Sequence, residues 1–338
     1  MTQTGPKLTQ TGPKPQDQLS AHLSVKMAEV NALIKTRIAS KHAPRIPEVT
    51  AHLVDSGGKR LRPMLTLAAA ELCGYKGAFD IHLAATVEFI HTATLLHDDV
   101  VDESAQRRGR PTANLLWDNK SSVLVGDYLF ARSFQLMVET GSIEVLDILA
   151  DASAQIAEGE VLQLTAAQNL ATDETTYLQV VRGKTAALFA AATKVGGVIA
   201  QAPQPQVNAL YTYGDALGIT FQIVDDLLDF QGDPTQTGKN IGDDFRERKL
   251  TLPMIKAIAA ADPTQRAFWQ RTIRNGQQEK GDLEHAIALM TAHDAFESAR
   301  RDAQGYGLIA RSALHDIPDQ PLRDILSELV DYVLNRLN

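Results

Sequence analysis

Residues 91–102 read HTATLLHDDVVD and follow an apolar run that begins at Ile81 and contains neither glycine nor proline. This pattern predicts a long buried helix whose last turn carries the carboxylates of Asp98, Asp99 and Asp102. At 100° per residue, these side chains project within one arc of roughly 100°. Carboxylates held so close repel one another unless a cation lies among them. An acidic helix end facing water is the plain alternative for one such cluster.

The same carboxylate spacing recurs later in the chain. Asp225, Asp226 and Asp229 follow a second apolar run, GITFQIV at positions 218–224. Hard divalent ions such as Mg²⁺ take oxygen ligands and are commonly shared between carboxylates and substrate phosphates. Two matched clusters on separate helices can face each other across a cavity and hold several such ions. The pair therefore favours a metal site over two solvated helix ends.

A basic segment near the N-terminal third predicts an anion site. Residues 56–63 read SGGKRLRP, which indicates a loop entering a helix with Pro63 near its first turn. Backbone N–H groups, the helix dipole and the side chains of Lys59 and Arg62 can bind an anion there. A solvated basic turn is the alternative reading of this segment taken alone.

Two further features bring cations and a histidine to the first aspartate cluster. His91 lies seven residues before Asp98, so it projects from nearly the same side of the helix and could donate to an anion near the basic segment. The polar loop 103–114 contains Arg107 and Arg108 and can fold over whatever the carboxylates hold. Arginine guanidinium groups beside metal-binding carboxylates are typical of phosphate recognition.

Other segments complete the predicted organisation. The helix that contains RGKTA at 182–186 has a glycine, which indicates a kink or a close approach of two helices. The long loop 231–244 contains Lys239 and three glycines and could close over an anionic ligand, and Lys249 follows it. Strand signals are nearly absent, so the chain is predicted to be all-α.

Composition sets limits on the class of protein. The chain has 338 residues, 44% of them hydrophobic, and a net charge of −8, which makes a broad nucleic-acid surface unlikely to form. A single cysteine, Cys73, excludes an intrachain disulfide framework and fits a reducing cytosol. No signal peptide or transmembrane segment is predicted. Residues 1–18, which contain a duplicated TQTGPK, are expected to be a disordered tail before a domain at 19–338.

From about residue 25 to its C-terminus, the sequence closely resembles the trans-isoprenyl diphosphate synthases. The shared motifs occur in the family's order: Gly58-Lys59-x-x-Arg62, the two D-D-x-x-D clusters, Lys184-Thr185, Phe221-Gln222 and Lys239. The resemblance implies a single-domain, antiparallel helical bundle around a deep central cavity, the isoprenoid synthase fold. It also implies a homodimer.

The resemblance further implies a prenyltransferase that adds isopentenyl diphosphate to an allylic diphosphate such as farnesyl or geranyl diphosphate. About three Mg²⁺ ions would assist ionisation of the allylic substrate. The implied metal ligands are Asp98, Asp99, Asp102, Asp225, Asp226 and Asp229. The implied catalytic residues are Asp98, Asp99, Asp102, Lys184, Thr185, Gln222 and Asp225. Lys59, Arg62, His91 and Arg108 would hold isopentenyl diphosphate, and Arg107, Lys184, Lys239 and Lys249 the allylic diphosphate, with Thr185 and Gln222 placing oxygen dipoles near the cation.

Product length is predicted from the residues below the first cluster. Ala93 and Thr94 lie about one turn before Asp98. By the same resemblance, short-chain members of the family carry bulky aromatic residues at these positions. Small residues here leave the cavity open, and Phe134 is expected to form its floor. The sequence thus predicts a cytoplasmic enzyme with a product of about C40 to C50, of the type used as a ubiquinone side chain and delivered to the membrane.

Several rival interpretations remain open at this point. A shorter product, of about C15 to C20, would keep the family and overturn the length argument. A terpene cyclase usually has a different second metal motif, and a non-catalytic partner subunit usually has damaged aspartate motifs. A di-iron carboxylate bundle needs matched Glu-x-x-His pairs, of which Glu88 and His91 supply one. A general metal-and-phosphate enzyme is the fallback.

Overall fold

The computed structural model describes residues 12–54, 58–107, 109–232 and 241–337. Its N-terminal part contains α1 (Pro15–His22), α2 (Ser24–Ile38), α3 (Arg45–Val54), α4 (Leu61–Leu72), α5 (Phe79–Val101), β1 (Gln106–Arg107), β2 (Arg110–Pro111), α6 (Ala113–Leu116) and α7 (Asn119–Glu139). The middle contains α8 (Ile143–Ala166), α9 (Glu174–Val181), a π-helical turn (Arg182–Ala186), α10 (Ala187–Ile199) and α11 (Gln204–Gln231).

The C-terminal part continues the helical pattern. It contains α12 (Asp243–Arg246), α13 (Leu252–Ala260), α14 (Pro263–Trp269), a π-helical turn (Gln270–Arg274), α15 (Asp282–Ala292), α16 (Ala295–Ala313), a 3₁₀ turn (Leu314–Asp316), α17 (Pro321–Leu334) and a final 3₁₀ turn (Asn335–Leu337). The all-α prediction is confirmed.

Local sequence explains where several of these helices begin. The side chains of Asp118, Ser142 and Asp173 accept hydrogen bonds from backbone N–H groups in the first turns of α7, α8 and α9. Asp262 and Gln265 form a reciprocal capping box at the start of α14. Such caps satisfy N–H groups that have no partner inside the helix. They fix the entry points of the helices that frame the site.

The helices pack in layers around α5, α10 and α11. α5 packs against α4 and α7, while α10 lies against α4, α8 and α11, and α11 packs against α16. Buried apolar side chains form one large core cluster and a second cluster shared by α5, α7, α8 and α10. The second cluster lies along α5 before its aspartates, where the sequence predicts the cavity.

The structure differs from the sequence prediction at two places. The sequence predicts a disordered tail at residues 1–18, of which residues 1–11 lie outside the described residues. Within the described part, α1 already begins at Pro15, and both Pro15 and Leu19 are buried. Leu19 of α1 packs into the large core cluster. This contact orders the helix, although the polar composition of residues 1–18 predicted disorder. The loop after α5 also contains a short antiparallel hairpin, in which Arg107 pairs with Arg110.

None of the helices in the described part of the chain is long and apolar enough to span a lipid bilayer.

Candidate active site

The first aspartate cluster lies at the C-terminal end of α5, as predicted. Asp99 is fully buried, and its Oδ1 accepts a hydrogen bond from Arg107 Nε at 2.9 Å and lies 2.8 Å from Arg107 Nη2. Its Oδ2 is buried with no hydrogen-bond partner among the described residues. Asp102 lies 3.1 Å from Lys249 Nζ. Two of the predicted diphosphate-binding cations therefore lie against this cluster.

Asp98 is half-buried and crowded by other carboxylates. Burial, together with the negative charges of Glu160 and Asp102, raises the pKa of Asp98 to about 7 against the opposing effect of Lys184 and Arg107. Lys184 Nζ lies 3.0 Å from Glu160 Oε1 and 3.1 Å from its Oε2. A carboxylate that is costly to ionise beside other carboxylates favours the binding of a cation.

The second cluster lies near the C-terminal end of α11. Asp226 is buried and accepts hydrogen bonds from Tyr177 Oη at 2.6 Å and from Gln222 Nε2 at 2.8 Å. Gln222 Oε1 in turn accepts a hydrogen bond from Thr185 Oγ1 at 2.8 Å. Burial raises the pKa of Asp226 to about 7, although the hydrogen bonds from Tyr177 and Gln222 lower it. This chain of contacts joins α9, the π-helical turn and α11.

The two outer aspartates of this cluster are less enclosed. Asp225 Oδ1 lies 3.5 Å from Arg336 Nη2, on the final 3₁₀ turn, and both partners are partly exposed. Asp229 Oδ2 accepts a hydrogen bond from the backbone N–H of Asp244 at 3.2 Å. The second cluster is thus tied to the C-terminus and to the segment that follows the loop 231–244.

The predicted anion loop and its histidine meet in the structure. Arg62 Nη1 lies 3.3 Å from His91 Nε2, and the Arg62 guanidinium stands 4.4 Å from the centroid of the Phe189 ring. Lys59 is exposed, with its ammonium 5.7 Å from the ring centroid of Tyr332. The structure therefore brings Arg62 and His91 together as the sequence predicts. Arg108 and Lys239 lie outside the described residues.

The π-helical turn Arg182–Ala186 brings Lys184 and Thr185 to this site. A Cβ atom built on Gly183 would lie 2.7 Å from Gln155 O and 2.7 Å from the Cα of Gly159. Such separations leave no room for a side chain, so the predicted close approach at this glycine is confirmed. The same contact sets Glu160 beside Lys184.

Residues that the sequence predicts to set product length fall in different places. Thr94 is half-buried and lies on α5 in line with Asp98, whereas Ala93 is fully buried in the large core cluster. Four residues before Thr94 stands Ile90, which belongs to the second apolar cluster. Thr94 therefore lies between the aspartates and that cluster, and Ala93 packs elsewhere.

The prediction for Phe134 is wrong within this chain. Its side chain is 44% exposed on the outer face of α7 and lines a surface pocket of about 490 Å³ with Arg37, Arg132 and Val138. On α7, Met137 is a buried member of the second apolar cluster, and the partly buried Phe130 packs against that cluster. The inward face of α7 includes Leu129, Ser133 and Leu136. Phe134 follows Ser133 directly and is rotated by about 100° from it around the helix, so it turns outward.

Three contributors to the site carry no signal that sequence reasoning used. Glu160 sits on a helix with no recognisable motif, Tyr177 resembles a packed aromatic residue, and Arg336 lies at the far end of the chain. Each reaches the site only through tertiary packing. Among the described residues, no three histidine, cysteine, aspartate or glutamate side chains already stand close enough to enclose a metal ion.

Comparisons with known proteins match the fold described above. The Polyprenyl synthetase family model matches residues 43–290. The octaprenyl diphosphate synthase of Escherichia coli (strain K12) is 42% identical over 92% of this chain and 95% of the relative. A decaprenyl diphosphate synthase from Rhodobacter capsulatus has a crystal structure that superposes with a TM-score of 0.93, at 69% identity over 96% of this chain and 100% of that one.

A third relative is a polyprenyl synthase from Caulobacter crescentus, whose crystal structure is described as complexed with calcium and isoprenyl diphosphate. It has a TM-score of 0.90 and 47% identity over 96% of this chain and 98% of that one. The architecture described above is therefore shared along almost the whole length of these solved structures.

Proposed function

This chain belongs to the polyprenyl synthetase family and is a prenyltransferase, and from that premise we propose that it extends an allylic diphosphate with isopentenyl diphosphate to an all-trans polyprenyl diphosphate of about C40 to C50. One observation supports the proposal most directly. The ends of α5 and α11 each carry an aspartate cluster; Arg107 and Lys249 lie against the first cluster, and Arg336 lies against the second.

Members of this family use a divalent metal, and the residues present fit Mg²⁺. The donors are hard oxygens, the pKa of Asp98 is raised by burial and by the neighbouring carboxylates, and Asp99 Oδ2 is buried without a partner among the described residues. Asp98, Asp102 and Asp225 would hold the metal most directly, with the remaining motif aspartates behind them. About three ions would complete their shells with water and diphosphate oxygens, as Mg²⁺ commonly does. Bound there, Mg²⁺ supplies charge stabilisation for a leaving diphosphate.

The chain's own cations supply the two diphosphate subsites. Lys59, Arg62 and His91 would bind isopentenyl diphosphate, since Arg62 and His91 already stand 3.3 Å apart beside the loop. On the other side, Arg107, Lys184 and Lys249 would bind the allylic diphosphate, because their present carboxylate partners hold them at the clusters. Arg108 and Lys239 are proposed to join them by resemblance alone.

The reaction follows from that placement. The C1–O bond of the allylic substrate breaks, and the bonding pair leaves with pyrophosphate. The double bond of isopentenyl diphosphate then bonds to C1, and a proton lost from its C2 passes to the departing pyrophosphate. Thr185 and Gln222 are hydrogen-bonded to each other, and their oxygen dipoles would stabilise the allylic cation.

The proposed path for the growing tail runs from Asp98 past Thr94 towards Ile90. These positions are spaced four apart on α5, so they lie on one face of the helix. Beyond them, the second apolar cluster includes Val87, Met137 and residues of α8 and α10. The Thr94 side chain is small enough to leave the path beside α5 open. The apolar side chains of the cluster would move apart for the tail or surround it. The ubiquinone side chain is the proposed destination of such a product.

We also propose that the enzyme is a cytoplasmic homodimer that passes its product to a membrane. The outer face of α7 exposes apolar side chains that a second copy would cover, including Leu124, Phe134 and Val138. Exposed apolar patches of this kind are typical of interaction sites.

The test is incubation with Mg²⁺, isopentenyl diphosphate and farnesyl diphosphate, with products resolved by mass spectrometry. We expect a ladder that ends near C40 to C50, and a Thr94→Phe variant whose ladder ends at least about one to two C5 units earlier because the ring blocks the path. The matched Thr94→Val variant keeps the side-chain volume and should keep the ladder. A wild-type ladder that stops at C15 or C20 would contradict the product length, and no elongation would contradict the activity.

A further inference from the structure

Arg60 lies between Lys59 and Arg62, two of the cations assigned to isopentenyl diphosphate, yet its own side chain pairs with a carboxylate. Its Nε stands 3.3 Å from Glu88 Oε1, and the two side chains are only 16% and 10% exposed. The backbone of Arg60 has φ 49° and ψ 35°, a left-handed conformation that residues other than glycine rarely adopt. The loop is thus tied to α5 at a position where its backbone is strained.

The same face of α5 reaches both arginines of the loop. Glu88 and His91 are three residues apart and therefore neighbours on the helix surface. Glu88 contacts Arg60, and His91 Nε2 lies 3.3 Å from Arg62 Nη1. Asp98 follows His91 by seven residues on nearly the same side. One helix thereby sets the loop and the first aspartate cluster relative to each other.

The pair is poorly suited to a purely stabilising role. Burying two opposite charges costs solvation that their attraction only partly repays. Arg60 Nη1 is buried and donates to no acceptor among the described residues, and the left-handed backbone adds strain. Strain and incomplete pairing that persist beside a predicted anion site point to a functional requirement.

We propose that the Arg60–Glu88 pair is a positioning device for the isopentenyl diphosphate subsite, an inference that rests on the proposed function. Glu88 neutralises the middle cation of a segment that carries three positive charges in four residues. By anchoring Arg60, it also fixes the backbone from which Lys59 and Arg62 extend. Neither Arg60 nor Glu88 touches the substrate, so both act through their neighbours.

The experiment compares two substrates in Glu88→Gln, which keeps the side-chain shape but removes its charge. We expect the KM for isopentenyl diphosphate to rise about tenfold, while the KM for farnesyl diphosphate and kcat change by no more than about twofold to threefold. Calorimetric titration with isopentenyl diphosphate should show the same loss of affinity without turnover. Arg60→Lys keeps the positive charge but loses the planar fork, and it should shift the same KM in the same direction by less.

The matched control is Asp80→Asn, on the same helix. Asp80, whose side chain is only 2% exposed, pairs with Lys26 at 2.9 Å, roughly 12 Å along the helix axis from Glu88. This variant should lower the melting temperature and leave both KM values unchanged. Equal rises of both KM values in Glu88→Gln would overturn the proposal, and so would a lower melting temperature with both KM values unchanged. If Glu88→Gln does not fold, the KM values of Arg60→Lys provide the test. Failure of the wild type to elongate would instead overturn the proposed function.

Discussion

Neighbouring aspartates in each cluster have different surroundings, because adjacent helix positions point 100° apart. Asp98 and Asp225 are half-buried towards the site, whereas Asp99 and Asp226 are buried in the packing. Asp99 orients Arg107, and Asp226 orients Gln222. Under the proposed function, the second aspartate of each motif would therefore mainly hold a substrate-binding neighbour in place. The first aspartate remains available to a metal.

The raised pKa of Asp98 makes metal binding depend on pH. Its carboxyl ionises near 3.8 when unperturbed and near 7 in the folded chain, so the folded state binds more protons between these values. Stability of the metal-free protein should therefore fall as pH rises through that window. Mg²⁺ binds the ionised form, so the rise in melting temperature on adding Mg²⁺ should be larger at about pH 8 than at about pH 6.

Differential scanning calorimetry with and without Mg²⁺ at both pH values tests this prediction. In Asp98→Asn, the pH dependence of the Mg²⁺ effect should shrink but not vanish, because the pKa of Asp226 is also raised to about 7. An equal Mg²⁺ effect at both pH values in the wild type would rule out ionisation of these carboxylates as its cause.

At the scale of elements, α8 and the π-helical turn meet at two glycines. A Cβ atom on Gly159 would lie 2.8 Å from the backbone N of Lys184, and one on Gly183 would lie 2.7 Å from Gln155 O. Backbone atoms cannot move aside as a flexible side chain can. The wider π-helical turn also changes the phase of the helix at Lys184 and Thr185. The contact therefore fixes both side chains relative to Glu160 and Gln222.

Gly183→Ala should damage both stability and catalysis. The added methyl group must push α8 and the turn apart, which should cost about 1–3 kcal/mol of folding free energy. The displacement of Lys184 and Thr185 should lower kcat at least about tenfold, since small misplacements of catalytic groups are costly. Urea unfolding and steady-state kinetics measure the two effects.

Gly305→Ala is the matched control for that substitution. Gly305 is an exposed glycine inside α16, and a Cβ atom built there meets nothing within 4 Å. This variant should stabilise the protein by about 0.5–1 kcal/mol, as expected for alanine in a helix interior, with kcat unchanged. Wild-type stability and kcat in Gly183→Ala would show that the two helices can separate without consequence.

The sequence predicted those parts of the site in which chemically distinctive residues and a helical repeat of apolar residues occur in the same segment. Both aspartate clusters fall at helix ends, and His91 lies on nearly the same side of α5 as Asp98, because helical spacing determines which side chains of one helix share a face. The partners Glu160 and Tyr177 could not be predicted, since their contacts depend on how separate helices pack. Phe134 was misplaced for the same reason: an aromatic residue can face in or out, and only the phase of α7 decides.

At the scale of the whole molecule, the outer face of α7 is unusually apolar for a surface. Exposed positions recur at 123, 124, 127, 131, 134, 135 and 138, three or four residues apart on one face. Leu124 and Val138 are 67% and 64% exposed, while Asp127 lies among the apolar positions and the exposed Lys120 and Glu139 lie at the two ends of the helix. A twofold-symmetric dimer would bury this face against its own copy, so that each side chain contributes twice.

Leu124→Glu should therefore prevent formation of the proposed dimer. It places a charge in each half of the interface, and the two symmetry-related copies double its effect. Sedimentation velocity at micromolar concentration should show the wild type near twice the monomer mass and the variant as a monomer. Leu308→Glu, at a 59% exposed position on α16, adds the same charge outside this face and should leave the dimer intact. A wild type that sediments as a monomer, or a Leu124→Glu variant that remains dimeric, would place the subunit contact on another surface or remove it altogether.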